Sequence, residues 1–145
     1  MTEQLSPLAL QALAVVEESG AIINANHAHP HTIRHKGRID LVTETDIAVE
    51  AFLKERLATL APQAGFLAEE SAEDLSLPDT CWIIDPVDGT TNFAHGLPLT
   101  VTSVAYRLNG EIVLGIVNAP LLRECFIAEK GKGAWRNGER ISVSS

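Results

Sequence analysis

Two Asn-Gly pairs, Asn109-Gly110 and Asn137-Gly138, do most to limit what this chain can fold into. Asn-Gly between apolar runs is the strongest local signal for a two-residue hairpin turn, because both residues tolerate positive φ. On one side of the first pair, Thr100 to Leu108 alternates. Val101, Ser103 and Ala105 share one face, and Thr102, Val104 and Tyr106 the other. Glu111 to Asn118 returns as a second strand and stops at Pro120. Glu124 to Glu129 reads as a third strand. Gly131-Lys132-Gly133 then turns into Ala134-Trp135, and the second Asn-Gly pair turns into Ile141-Ser142-Val143. Hairpins in succession predict an antiparallel meander.

The first half carries helical periods. Ser6 is an N-cap with proline at the first helical position, and Leu8, Ala12, Val15, Ser19 and Ile22 follow at helical spacing to about His27, with Glu17 and Glu18 outside. Residues 27 to 40 are polar and read as an irregular loop. Its histidines, His27, His29 and His31, alternate without a cysteine or carboxylate partner, which is not a zinc pattern. Lys36 is a weak candidate for closing over an anion. Leu41-Val42 is expected to be a short extended segment, and Thr43 with Asp46 resembles a capping box opening a second helix. Val49, Leu53, Leu57 and Leu60 mark that helix's buried face up to Pro62. Gly65 to Ala68 is a short apolar strand with Glu69-Glu70-Ser71 at its end. The expected class is α+β: two N-terminal helices layered on a mainly antiparallel sheet, as a single domain over residues 1–145.

Chemistry concentrates in residues 81–92. The apolar run Cys81 to Ile84 reads as a buried strand that stops at Asp85, because Pro86 lacks an amide hydrogen. Asp88-Gly89 signals a turn, and Thr90-Thr91-Asn92 can open a helix. Oxygen ligands in a tight loop suit a hard cation such as Mg²⁺. Free amides at a helix start suit a phosphate.

Glu69, Asp85 and Asp88 all fall at or just after strand ends. If strands 65–68 and 81–84 are neighbours, these carboxylates converge, and a divalent cation relieves their repulsion. Asp85 can bridge two ions, with Glu69 on one, Asp88 on the other and the Val87 carbonyl as a further oxygen ligand. Such sets serve two-metal phosphoryl hydrolysis. The Thr90 hydroxyl, paired with Asp46, can orient a water, and the amides of Gly89 and Thr90 can hold phosphate oxygens.

Composition narrows the alternatives. The 145 residues carry a net charge of −8, which argues against a nucleic-acid partner. Neither Cys81 nor Cys125 has a cationic neighbourhood that would activate it, so a covalent mechanism is disfavoured. Without an export signal, both read as free thiols of a cytoplasmic protein. No apolar run is expected to reach the roughly 20 residues of a membrane span.

Three motifs, in order, resemble the inositol monophosphatase family of Mg²⁺-dependent, lithium-sensitive phosphatases. They are Asp-Leu-Val-Thr-Glu-Thr-Asp at 40–46, Phe-Leu-Ala-Glu-Glu-Ser at 66–71, and Trp-Ile-Ile-Asp-Pro-Val-Asp-Gly-Thr-Thr-Asn-Phe at 82–93. Gly-Lys-Gly-Ala-Trp-Arg-Asn-Gly at 131–138 is similar to the family's strand-turn pattern. The resemblance implies Mg²⁺ held by Glu69, Asp85, the Val87 carbonyl and Asp88. It implies a water activated by Thr90 and Asp46, and a phosphate site lined by Val87, Asp88, Gly89 and Thr90, with Glu69 beside it. Glu70 is not the expected ligand. The implied activity is hydrolysis of myo-inositol monophosphate or a similar sugar phosphate. Relatives acting on histidinol phosphate, fructose bisphosphate or 3′-phosphoadenosine nucleotides are the alternatives.

The family's second α/β domain, with a Trp-Asp-x-Ala motif supplying another ligand, has no counterpart here. Weak activity alone is therefore expected. A bare sheet face also makes a homodimer or self-associating, non-catalytic metal-binding fragment the competing expectation.

Overall fold

A computed structural model describes residues 4–27, 35–68 and 78–144; the side chains of 35–41 and of 68 lie outside that description. The elements are α1 (Pro7–His27), α2 (His35–Leu60), β1 (Gly65–Ala68), β2 (Cys81–Asp88), α3 (Thr90–Ala94), β3 (Val101–Leu108), β4 (Glu111–Ala119), β5 (Glu124–Glu129), β6 (Gly133–Arg136) and β7 (Glu139–Ile141). One 3₁₀ turn, Pro120–Leu122, joins β4 to β5.

Among the described residues, seven strands lie side by side in sequence order. β1 and β2 are parallel, and every later pair is antiparallel. Both Asn-Gly turns carry positive φ at each residue: 52° and 83° at Asn109-Gly110, 49° and 83° at Asn137-Gly138. That backbone twist matches the strands it joins. The last strand begins at Glu139, two residues earlier than the apolar run Ile141 to Val143 suggests, because the two-residue turn returns the chain to pairing at once.

The α+β layering is as expected. One sheet face, with Trp82, Ile84, Val104, Tyr106, Leu114, Ile116, Ile127 and Trp135 buried, packs on Ala9, Ala12, Val16 and Ile23 of α1 and Val49, Leu53 and Leu57 of α2. Trp82 pairs with Tyr106 across β2 and β3, ring centroids 4.4 Å apart. The opposite face carries Val117, 39% exposed, and Gly115, where an added methyl would meet nothing within 4 Å. β4 reads Ile112-Val113-Leu114-Gly115-Ile116-Val117, a continuous apolar run although its outer face is open.

The extended segment expected at Leu41-Val42 is absent, and so is a helix start at Thr43: α2 already runs from His35. The apolar stripe continues one turn upstream, since Val42 packs on the core and Thr45 is buried in line with Val49 and Leu53. That burial outweighs the weak helix preference of β-branched residues. Residues 35–40, expected to be loop, are therefore helical. His29 and His31 lie outside the described residues, as does the side chain of Lys36.

The helix α1 is also long and apolar enough, by length and composition, to cross a membrane, which the sequence reading had not anticipated. Its buried residues, Ala9, Ala12, Val15, Val16, Ser19, Gly20 and Ile23, are those of a helix docked on a core. Ser6 caps it, with the Ala9 amide donating to Ser6 Oγ at 3.2 Å. Glu129 at the end of β5 then grips that cap, accepting from Ser6 N at 2.8 Å and from Ser6 Oγ at 2.6 Å. Glu129→Ala removes both bonds, and the expected loss is about 2 kcal/mol, read from urea unfolding. An unchanged midpoint would show that the clamp contributes nothing.

Candidate active site

The chain does not leave the sheet at Asp85. β2 continues through Pro86 to Asp88, and this corrects the expectation that proline ends the strand. Asp85 pairs with Ser103 and Asp88 with Val101, so three steps on β2 match two on β3. This is a β-bulge, a place where a sheet tolerates a residue with no amide to donate. Pro86 and Val87, the residues inside the bulge, are both buried. Ser103 and Val101 share the other face, so the bulge brings Asp85 and Asp88 to one face although they are three residues apart. Thr102 Oγ1 donates to the Pro86 carbonyl at 2.8 Å within the interior.

Gly89 follows, with φ +92° and ψ 41°, as the N-cap of α3. A Cβ there would sit 2.6 Å from the Leu99 carbonyl oxygen, so only glycine fits. Asn92 Nδ2 donates to the same carbonyl at 2.9 Å, and the Phe93 amide donates to the Gly89 carbonyl at 3.0 Å. The turn thus delivers Thr90 to a fixed place at the start of α3.

That place faces α2. A cavity of about 480 Å³ is lined by Val42, Thr43, Asp46, Ile47, Glu50 and Thr90. Asp46 and Thr90, 44 positions apart in sequence, thus both line one cavity. The end of α1 braces both. Asn26 Nδ2 donates to Thr45 Oγ1 at 2.6 Å, beside Asp46, and His27 Nε2 lies 3.0 Å from the Gly96 carbonyl, just beyond α3. Neither contact was legible in advance, since His27 belonged to an unpatterned histidine run. Glu50 adds a carboxylate that sequence reading missed; it pairs with Lys54 Nζ at 3.1 Å.

Glu69 and Glu70 lie outside the described residues. The condition placed on Glu69 is nevertheless met up to Ala68: β1 runs parallel to β2 with Ala68 opposite Ile84, the residue before Asp85. Among the described residues no three His, Cys, Asp or Glu side chains cluster as a ready metal cage. What they offer is two carboxylates on one face beside a bulged backbone. This is an oxygen-only donor set, the chemistry a hard cation takes.

The cysteines stay out of the chemistry. Burial raises the Cys81 thiol, an effect that Arg107 partly offsets. Burial, with the Glu17 carboxylate adding to it, pushes Cys125 up to about 12. Both are free and buried.

Known proteins resemble this chain in sequence and fold. The model of the inositol monophosphatase family matches residues 4–145. The inositol monophosphatase of Dictyostelium discoideum is 47% identical over 138 residues, 92% of this chain and 51% of that protein. The fructose-1,6-bisphosphatase/inositol-1-monophosphatase of Thermotoga maritima is 47% identical over 105 residues, 72% of this chain and 40% of its own length. Among solved structures, the staphylococcal SaIMPase-II with inositol monophosphate bound superposes with a TM-score of 0.74 at 26% identity, covering 91% of this chain and 47% of that one. The chain spans about half the length of the curated relatives it matches. It belongs to the inositol monophosphatase family.

Proposed function

We propose that this chain carries the water-activating and metal-binding part of a Mg²⁺-dependent phosphomonoesterase acting on myo-inositol monophosphate or a similar sugar phosphate. The observation that carries the reading is the meeting of Asp46 and Thr90 at one cavity, next to a strand end that presents Asp85 and Asp88 together. In this reading Asp85, Asp88, the Val87 carbonyl and Glu69 hold Mg²⁺. When bound, the ion supplies Lewis-acid charge that lowers the pKa of a water and steadies the leaving oxygen. Thr90 and Asp46, which line the same cavity, would orient the attacking water and take its proton, the one through its hydroxyl and the other through its carboxylate. The amides of Gly89 and Thr90 hold phosphate oxygens. The inositol monophosphate in the SaIMPase-II structure and the bisphosphatase activity in the Thermotoga name both favour a small phosphorylated polyol. Two buried free thiols favour a reducing, cytoplasmic setting.

The test is phosphate release from myo-inositol 1-phosphate by the 145-residue chain. Slow, Mg²⁺-dependent release is expected, falling about a hundredfold in Thr90→Val, which removes the proton path. Release that ignores Mg²⁺, or that survives Asp88→Asn, would defeat the reading. Turnover near the ordinary enzymatic value of about 10 s⁻¹ would defeat the expectation that this half is weak alone.

The continuous apolar run in β4, with Val117 and Gly115 on the open face, favours a second reading in which the chain self-associates and binds metal without turnover. A monodisperse monomer by light scattering would count against it.

A further inference from the structure

We propose that Thr102 is a positioning residue for the candidate metal site, holding the bulge that brings Asp85 and Asp88 to one face. The inference rests on the metal-site reading above. A bulge is a local break in the ladder, and the backbone there has fewer fixed partners than a regular strand. At this bulge one of the residues is proline, which contributes no donor at all. The neighbouring strand supplies a donor for the proline's own carbonyl. Thr102 is fully buried on β3, and its hydroxyl donates to the Pro86 carbonyl at 2.8 Å, the carbonyl midway between the two carboxylates in sequence.

The bond matters because of what flanks it. Pro86 follows Asp85 directly, and one residue on, Val87 carries the carbonyl assigned to the ion and leads into Asp88. Rotation of the Pro86 peptide would turn both neighbours. Ser103 and Val101, the partners of Asp85 and Asp88, flank Thr102 and face the other side of β3, so the Thr102 hydroxyl reaches the loop from the face opposite the two carboxylates. Groups in that position set the direction of ligand oxygens, and their loss typically weakens metal binding by about ten- to a hundredfold.

The probe is Mn²⁺ alone, followed by the electron paramagnetic resonance signal of the free ion, with wild type, Thr102→Ser, Thr102→Ala and Thr102→Val. Serine keeps the hydroxyl and should bind Mn²⁺ as wild type does. Alanine should bind about tenfold more weakly. Valine, which keeps the volume and drops the hydroxyl, should match alanine, and it serves where the alanine variant does not fold. Urea midpoints without metal separate the effect from simple loss of packing. Equal Mn²⁺ affinity in wild type and the folded valine variant overturns the proposal and leaves the metal site standing. Equal losses in serine and alanine overturn it in favour of methyl packing. Failure of both alanine and valine variants to fold overturns it by assigning Thr102 to the core alone. A wild type that binds no Mn²⁺ overturns both the proposal and the metal-site reading.

Discussion

Gly89→Ala should destabilise the chain by about 3 kcal/mol and weaken metal binding in the molecules that still fold. Two costs combine. The backbone sits at φ +92°, which an L side chain adopts only under strain, and the new methyl would lie 2.6 Å from the Leu99 carbonyl oxygen, closer than real Cβ contacts come. The obstacle is backbone, so it cannot swing aside like a flexible side chain. Gly96→Ala is the control. Gly96 also has positive φ, +74°, but a Cβ there meets nothing within 4 Å. That variant should show only the conformational part, about 1–2 kcal/mol. The difference between the two urea midpoints isolates the clash. Because Gly89 lies between Asp88 and Thr90, relief of the clash must move one of them, so the surviving Gly89→Ala molecules should bind Mn²⁺ more weakly than Gly96→Ala. Equal stability in the two variants would remove the close approach to Leu99 as a constraint on the site.

The parts of the fold that were legible in advance are those written in local chemistry. Asn109-Gly110 and Asn137-Gly138 each demand a turn that reverses a strand with the right twist, and the order of the meander follows from them. Ser6-Pro7 marks the start of α1 for the same reason. The misreadings occur where a local signal competes with packing. Thr43 and Asp46 look like a helix start, but Val42 and Thr45 continue the buried stripe of α2 and keep that turn helical. Pro86 looks like a strand end, but a bulge absorbs its missing donor and Thr102 satisfies its carbonyl from the next strand. That partner is 16 residues away, and no local rule could supply it. Around the candidate site, the pairing of β1 with β2 was legible in advance, and the bulge that puts Asp85 and Asp88 on one face was not. The bracing of Asp46 and α3 by Asn26 and His27 depends on how the end of α1 docks, which only the packed structure reveals.

Alkali should expose a weakness that the packed interior creates around Cys125. Its thiol is pushed up to about 12 in the folded chain, against 9.0 for an ordinary thiol, first because it is buried and second because the Glu17 carboxylate is near. The folded state therefore keeps the proton more tightly than the unfolded state does. The stability linked to that proton is complete below about pH 9 and is lost progressively as pH rises through about 12. One group contributes a slope of at most about 1.4 kcal/mol per pH unit in that window. Cys125→Ala has no such proton. At pH 8 it should be somewhat less stable than wild type, since it loses buried contacts. Toward pH 11 the order should reverse, as wild type falls along a slope that the variant lacks. Cys81 and Tyr106, whose pKa values burial also raises, are present in both chains and cancel in the difference. Urea unfolding with reductant at intervals from pH 8 to 11 measures that difference directly. Two parallel curves would mean that the thiol ionises in the folded chain as easily as in the unfolded one, and that the cavity beside Glu17 and Asn137 admits enough water to solvate a thiolate. A difference that closes and then inverts places Cys125 in a dry contact between α1 and β5. There it is a packing residue whose proton is part of the fold.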